Sequence, residues 1–219
     1  MMISPETYYE IHLKGKNQQE LLIAIQELKI EIEHLKNLLE QPNYHFTMHT
    51  KPSESTKLSY TRQYLERAKK AYTDVGGIYI PSQEELKAQA FDASISVINK
   101  LIFTIGGFFN GYETRTFTID GDHLYMDVKH SYNPARMKSR MELDPIITKQ
   151  EFLEELFGLH LGEWRHSYRN DQICDGTQWN LEIQYSDGQE PFKVSGSNAF
   201  PFNFNELREL TNIDTKDKT

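Results

Sequence analysis

His123, Tyr125 and Asp127 alternate with Leu124 and Met126, so on a β-strand all three polar side chains leave the same face. An imidazole, a phenol and a carboxylate on one face are the parts of a general acid–base site. Thr114, Thr116, Thr118 and Lys129 are expected on that face too, and the same pattern describes a strand surface that simply meets water. A metal site would need a different set. His160, Glu163 and His166 are spaced by threes and Cys174 follows, an N, O and S donor set of the kind zinc takes. Steps of three align only loosely on one helix face, and His45 and His49 fall in a loop between Pro42 and Pro52, so no metal is expected. Cys174 with His166 could pair a nucleophile with a base, but no third group orients them, and Cys174 reads as a structural thiol. No cofactor motif is present.

Lys129, His130, Arg136, Lys138 and Arg140 form a basic run. It suits phosphate or an acidic partner, with Asp127 beside it, so Asp127, Lys129, Arg136, Lys138 and Arg140 are the candidate partner-binding residues. A solvated loop is the plainer reading, since Glu142 and Asp144 follow directly.

The chain has 24 basic and 32 acidic residues, a net charge of -8. Residues 1–100 hold 12 basic against 13 acidic, and residues 101–219 hold 12 against 19, so the second part carries nearly all the excess. That balance repels bare nucleic acid and anionic membrane except where cations cluster. One cysteine permits no internal disulfide, and no apolar run approaches the roughly 20 residues of a membrane span. A reducing cytoplasm is the expected location.

Capping signals outline the helices that must position these groups. Ser4 with Pro5 starts a short helix that Gly15 can end. Asn17 with Glu20 is a capping box, and Leu21, Ile25, Leu28, Ile32, Leu35 and Leu39 then recur by fours and threes as far as Pro42. A helix over residues 55–74 carries a matching stripe of Leu58, Thr61, Leu65, Ala68 and Tyr72. Packing of the two stripes gives an antiparallel hairpin within the chain, with a coiled-coil dimer seam as the alternative. Ser82 and Glu85 open a fourth helix running to about Ala90.

Two Asp-Gly dipeptides, Asp120-Gly121 and Asp187-Gly188, sit between alternating runs and predict β-hairpins. A two-residue Asp120-Gly121 turn sets Thr118 against His123, Phe117 against Leu124 and Arg115 against Met126. The second sets Leu181 against Val194 and Ile183 against Phe192, with Glu182 facing Lys193. A strand over about 101–106 reaches Asn110-Gly111 through a bulge or longer loop, residues 129–140 form a polar loop, and helices follow over 148–158 and 203–210. The expected fold is α+β, with a helical region over 1–100 and a sheet domain over 101–219. Five antiparallel strands form the sheet, covered on one side by helices.

The stretches FLEELFGLHLGEWRHSY, CDGTQWNLEIQYSDG and GSNAFPFNFNEL, with ISPETYYEIHLKGK and SESTKLSYTRQYLERAKKAY, resemble uncharacterised proteins of Gram-positive gut bacteria and their mobile elements. Within this module Trp164 and Trp179 read as core anchors, Gly176 and Gly196 as turn residues, and Asn198 with Pro201 as the entry to the last helix. The resemblance implies a mobile-element accessory protein that binds a protein partner without catalysis, and by analogy an inhibitor of a host defence such as a CRISPR effector or ribonucleoprotein. The alternative is a small enzyme using His123, Tyr125 and Asp127, and a third reading is nucleic-acid binding through residues 129–140.

Overall fold

The computed structural model describes residues 2–42, 44, 51–144, 146–173 and 175–212. His45, His49 and Cys174 therefore lie outside the described residues. The chain divides into two compact units, Met1–Pro81 and Ser82–Thr219.

The first unit is helical. Ser4 caps α1 (Pro5–Tyr8), which continues into a wider turn over Tyr9–Leu13 before Gly15 adopts φ 78°. α2 spans Gln18–Leu39 with the Asn17–Glu20 capping box formed, and α3 spans Glu54–Asp74. Leu21, Ile25, Leu28, Ile32 and Leu35 of α2 are buried against the stripe Leu58, Thr61, Leu65, Ala68 and Tyr72 of α3. Gln18 donates to the Val75 carbonyl at 2.8 Å, joining the start of α2 to the end of α3, which makes the pair antiparallel within one chain. Tyr8 stacks on Tyr64 with ring centroids 4.1 Å apart, and the Tyr64 hydroxyl donates to the Ile3 carbonyl at 2.7 Å, holding α1 on α3.

The second unit is α+β. It begins with α4 (Gln83–Ser94), capped by the Ser82–Glu85 box, and enters the sheet at β1 (Ile98–Gly107). β2 (Gly111–Asp120), β3 (His123–His130) and β4 (Lys138–Glu142) follow, then α5 (Lys149–Gly158), β5 (Ser167–Arg169), β6 (Gln178–Tyr185), β7 (Phe192–Ser197) and α6 (Phe204–Thr211). The spatial order is β4-β3-β2-β1-β6-β7-β5. The sheet thus has seven strands instead of the expected five, and it is mixed, because β5 pairs with β7 in parallel. Both extra strands lie at edges. β5 is three residues long, and β4 (KSRME) exposes four of its five residues, so neither carries the alternation that marks a half-buried strand.

Two registers show how turns set pairing. Leu181 faces Val194, Glu182 faces Lys193 and Ile183 faces Phe192 as the alternation predicts. In the other hairpin the pairs are Asp120 with His123, Phe117 with Met126 and Arg115 with Val128, so the central turn residues are Gly121 and Asp122. Gly121 has φ 61° and takes the first central position, where a type II′ turn needs glycine. The shift from the expected register is by two residues, so every side chain keeps its face. β1 and β2 are joined by a three-residue connection, Phe108 to Asn110, with Gly107 facing Gly111.

The core lies on one face of this sheet. Phe117 stacks on Phe152 of α5 at 5.0 Å, Phe103 meets Phe204 of α6 at 6.0 Å, and Phe91 of α4 meets Phe192 at 4.8 Å. Arg115 also enters this face. Its guanidinium donates to the Thr211 carbonyl at the end of α6 at 2.9 Å and to Glu113 at 2.7 Å, which satisfies a cation buried at a helix C-terminus. Trp164 and Trp179 are each 1% exposed and meet edge to face at 6.0 Å.

Candidate functional site

The polar strand face forms as the alternation predicts, but it does not bring the acid–base candidates together. His123 and Asp127 are four residues apart on β3, a separation of about 13 Å along a strand. Each has its own partner on β4. The His123 ring nitrogen Nδ1 lies 2.6 Å from Glu142, both side chains being largely exposed. Asp127 accepts the Arg140 backbone N–H at 2.7 Å.

The second contact has a local structural cause. Between the pairs Met126–Met141 and Val128–Lys138, the single residue Asp127 is opposed by Ser139 and Arg140, so β4 bulges there. Arg140 takes φ 38°, and its amide, displaced from the ladder, is satisfied by the Asp127 carboxylate. The Arg140 guanidinium lies 4.3 Å from the Tyr125 ring centre and reaches Asp120 at 3.1 Å. Tyr125, Asp127 and Arg140 are thereby joined, and the residues they use are those that shape the edge of the sheet.

The basic run is divided among elements instead of forming one loop. Lys129 and His130 are the last two residues of β3, Arg136 belongs to a single turn of 3₁₀ helix over Pro134–Arg136, and Lys138 and Arg140 are in β4. His130 holds the connection, since its Nδ1 accepts backbone N–H groups of Tyr132 at 3.3 Å and Asn133 at 3.1 Å.

The metal candidates His160, Glu163 and His166 follow α5 and share no α-helix. His160 has φ 49° at the helix exit, Glu163 closes a 3₁₀ turn over Leu161–Glu163, and His166 precedes β5. Among the described residues no group of three or more His, Cys, Asp or Glu side chains is arranged to hold a metal ion. The displaced carboxyl groups serve local structure: Glu151 is held below its ordinary value by the Thr148 N–H and hydroxyl, and Glu182 by the Gln184 amide and then by Lys193. Among the described residues no helix is long and apolar enough to cross a membrane.

A different surface stands out at the β1–β2 turn. Phe108 and Phe109 are each 75% exposed, with rings 5.3 Å apart and nearly perpendicular. Tyr112 and Tyr132 add two more exposed rings. They sit beside the turn because Tyr112 and Ser131 exchange hydrogen bonds of 2.8 and 2.9 Å, and a side chain at Gly111 would run into the Tyr132 ring. Gly111, at φ 71°, is the residue that admits that approach. The aromatic tip was not among the site residues expected from sequence. Its signal is FFNGY: two phenylalanines between Gly106-Gly107 and Asn110-Gly111, where a turn leaves nothing to bury them against. A scan of protein-family models and searches of curated proteins and of solved structures give no match to this chain.

Proposed function

We propose that the protein acts by binding a macromolecular partner, a protein or ribonucleoprotein, and that the tip formed by Phe108, Phe109, Tyr112 and Tyr132 makes the contact. The observation that carries this reading is the 75% exposure of two adjacent phenylalanines in a three-residue turn. Large aromatic surfaces held in water are unfavourable in the free protein and become the strongest anchors of an interface once covered. The acid–base candidates offer less support for catalysis, since His123 and Asp127 engage separate partners on β4. A bacterial defence effector as the partner rests on the resemblance to mobile-element proteins.

The test is a tagged copy expressed in a Gram-positive host, compared with Phe108→Ser/Phe109→Ser. The native protein should recover a stoichiometric partner and protect an incoming plasmid from the host's defence, and the variant should lose both while keeping its circular dichroism. Equal recovery by both proteins would overturn the reading.

A further inference from the structure

We infer that the aromatic tip takes single-stranded nucleic acid, with bases stacked on Phe108, Phe109 and Tyr132 and phosphates held by Lys129 and Arg136. This deepens the reading above, in that the partner would present an unpaired strand to the tip.

Two independent sets of groups meet here. The first is the rings. The perpendicular arrangement of Phe108 and Phe109 turns their faces in different directions, and Tyr132 adds a third ring fixed over Gly111. Every base has a face that stacks on such rings, and an unpaired strand can present successive bases to them, whereas a duplex keeps its bases stacked on each other. The second set is the cations. Residues 129–140 contain Lys129, Arg136, Lys138 and Arg140 and no acidic residue, in a chain of net charge -8. Arg140 is committed to Asp120 and Tyr125. Lys129 and Arg136 are exposed at either end of the segment that carries Tyr132, and Arg136 is tied to it by its N–H bond to the Asn133 carbonyl at 3.1 Å.

The geometry also gives the strand a side. Gly107 lies close to the Gly176 carbonyl, so Asp175, next to Gly176, is on the β6 side of the tip, and Tyr132 is on the β3 side. Phosphates are repelled there and attracted toward Lys129 and Arg136. An anionic backbone and flat aromatic bases match both sets of groups together, which an acidic protein surface matches only in charge.

The full chain would be titrated against fluorescein-labelled oligo-dT and oligo-U of about 20 nucleotides, longer than one binding site, by fluorescence anisotropy. Binding should weaken about tenfold or more in Phe108→Ala/Phe109→Ala and in Lys129→Glu/Arg136→Glu, and should fall steeply with salt. All four side chains are exposed, and Tyr132→Ser gives a further variant should either pair alter the thermal melt. Binding that the variants leave unchanged, or no binding of either oligonucleotide, would overturn the inference. Tip-dependent binding of polyglutamate or of anionic vesicles in place of the oligonucleotides would also overturn it. The two readings fail separately: loss of oligonucleotide binding with tip-dependent partner recovery removes only this inference. Tip-dependent oligonucleotide binding with no recovered partner supports it and removes the other.

Discussion

The indole N–H of Trp164 donates to the side-chain oxygen of Asn203 at 2.8 Å, both groups being buried. The amide nitrogen of the same Asn203 donates to the Leu159 carbonyl, so one side chain ties the exit of α5 and the first core tryptophan to the start of α6. Asn203→Ala leaves an indole donor and a carbonyl acceptor without partners in the core. We expect a loss of about 1–3 kcal/mol, read from the urea midpoint. Asn203→Asp should be no better, because it presents an acceptor to the Leu159 carbonyl.

Asp127 supports the bulge opposite it, so Asp127→Ala should act locally. The Arg140 amide loses its acceptor, and its hydrogen exchange should speed up by about tenfold, corresponding to a hydrogen bond to a charged group. Exchange of core amides in β1 and β6 should be unchanged. Asp127→Asn keeps an acceptor oxygen and should show a smaller effect.

Gly196 and Gly188 separate crowding from backbone conformation. A side chain at Gly196 would collide with the Trp179 indole inside the core, whereas Gly188 has open space around it but φ 82°. Gly196→Ala should cost about 1–3 kcal/mol through overpacking, with altered tryptophan fluorescence. Gly188→Ala should cost about 1–2 kcal/mol from the left-handed conformation alone, with fluorescence unchanged.

Glu151 is lowered by hydrogen bonds from Thr148 at the α5 N-terminus, and Glu182 and Asp187 are lowered as well. A carboxyl group whose folded value lies below its unfolded one adds stability above the unfolded value, and that stability disappears as pH falls through the folded value. Stability should therefore decline from the ordinary carboxylate range downward. Glu151→Gln should be less stable than the native protein at neutral pH, and the gap should close in acid. A gap that stays constant in urea titrations from neutral to strongly acid pH would refute this.

Much of the framework is legible in the sequence because its causes are local. Four helix starts are written in side chains that bond to amides a few residues away: Ser4, Asn17 with Glu20, Ser82 with Glu85, and Thr148 with Glu151. The stripes of α2 and α3, and the faces of β2, β3, β6 and β7, follow from periods that any short window reveals. The β2–β3 register differs from the expected one by two residues, so each side chain keeps the face that the alternation gives it.

The remainder depends on segments that meet only in the folded chain. Nothing within Ser167–Arg169 shows that it will lie parallel to β7, nor within KSRME that it will pair with β3, because an edge strand takes its hydrogen bonds from a neighbour and buries little of its own. The candidate site shares that dependence. Composition and spacing identified His123, Tyr125, Asp127 and the cations of 129–140 as residue types with chemistry to offer. Tertiary pairing decided that Asp127 and Arg140 shape a strand edge and that Tyr132 joins Phe108 and Phe109 at the tip. Capping and periodicity are set by neighbours along the chain, whereas which side chains share a surface is set by neighbours in space.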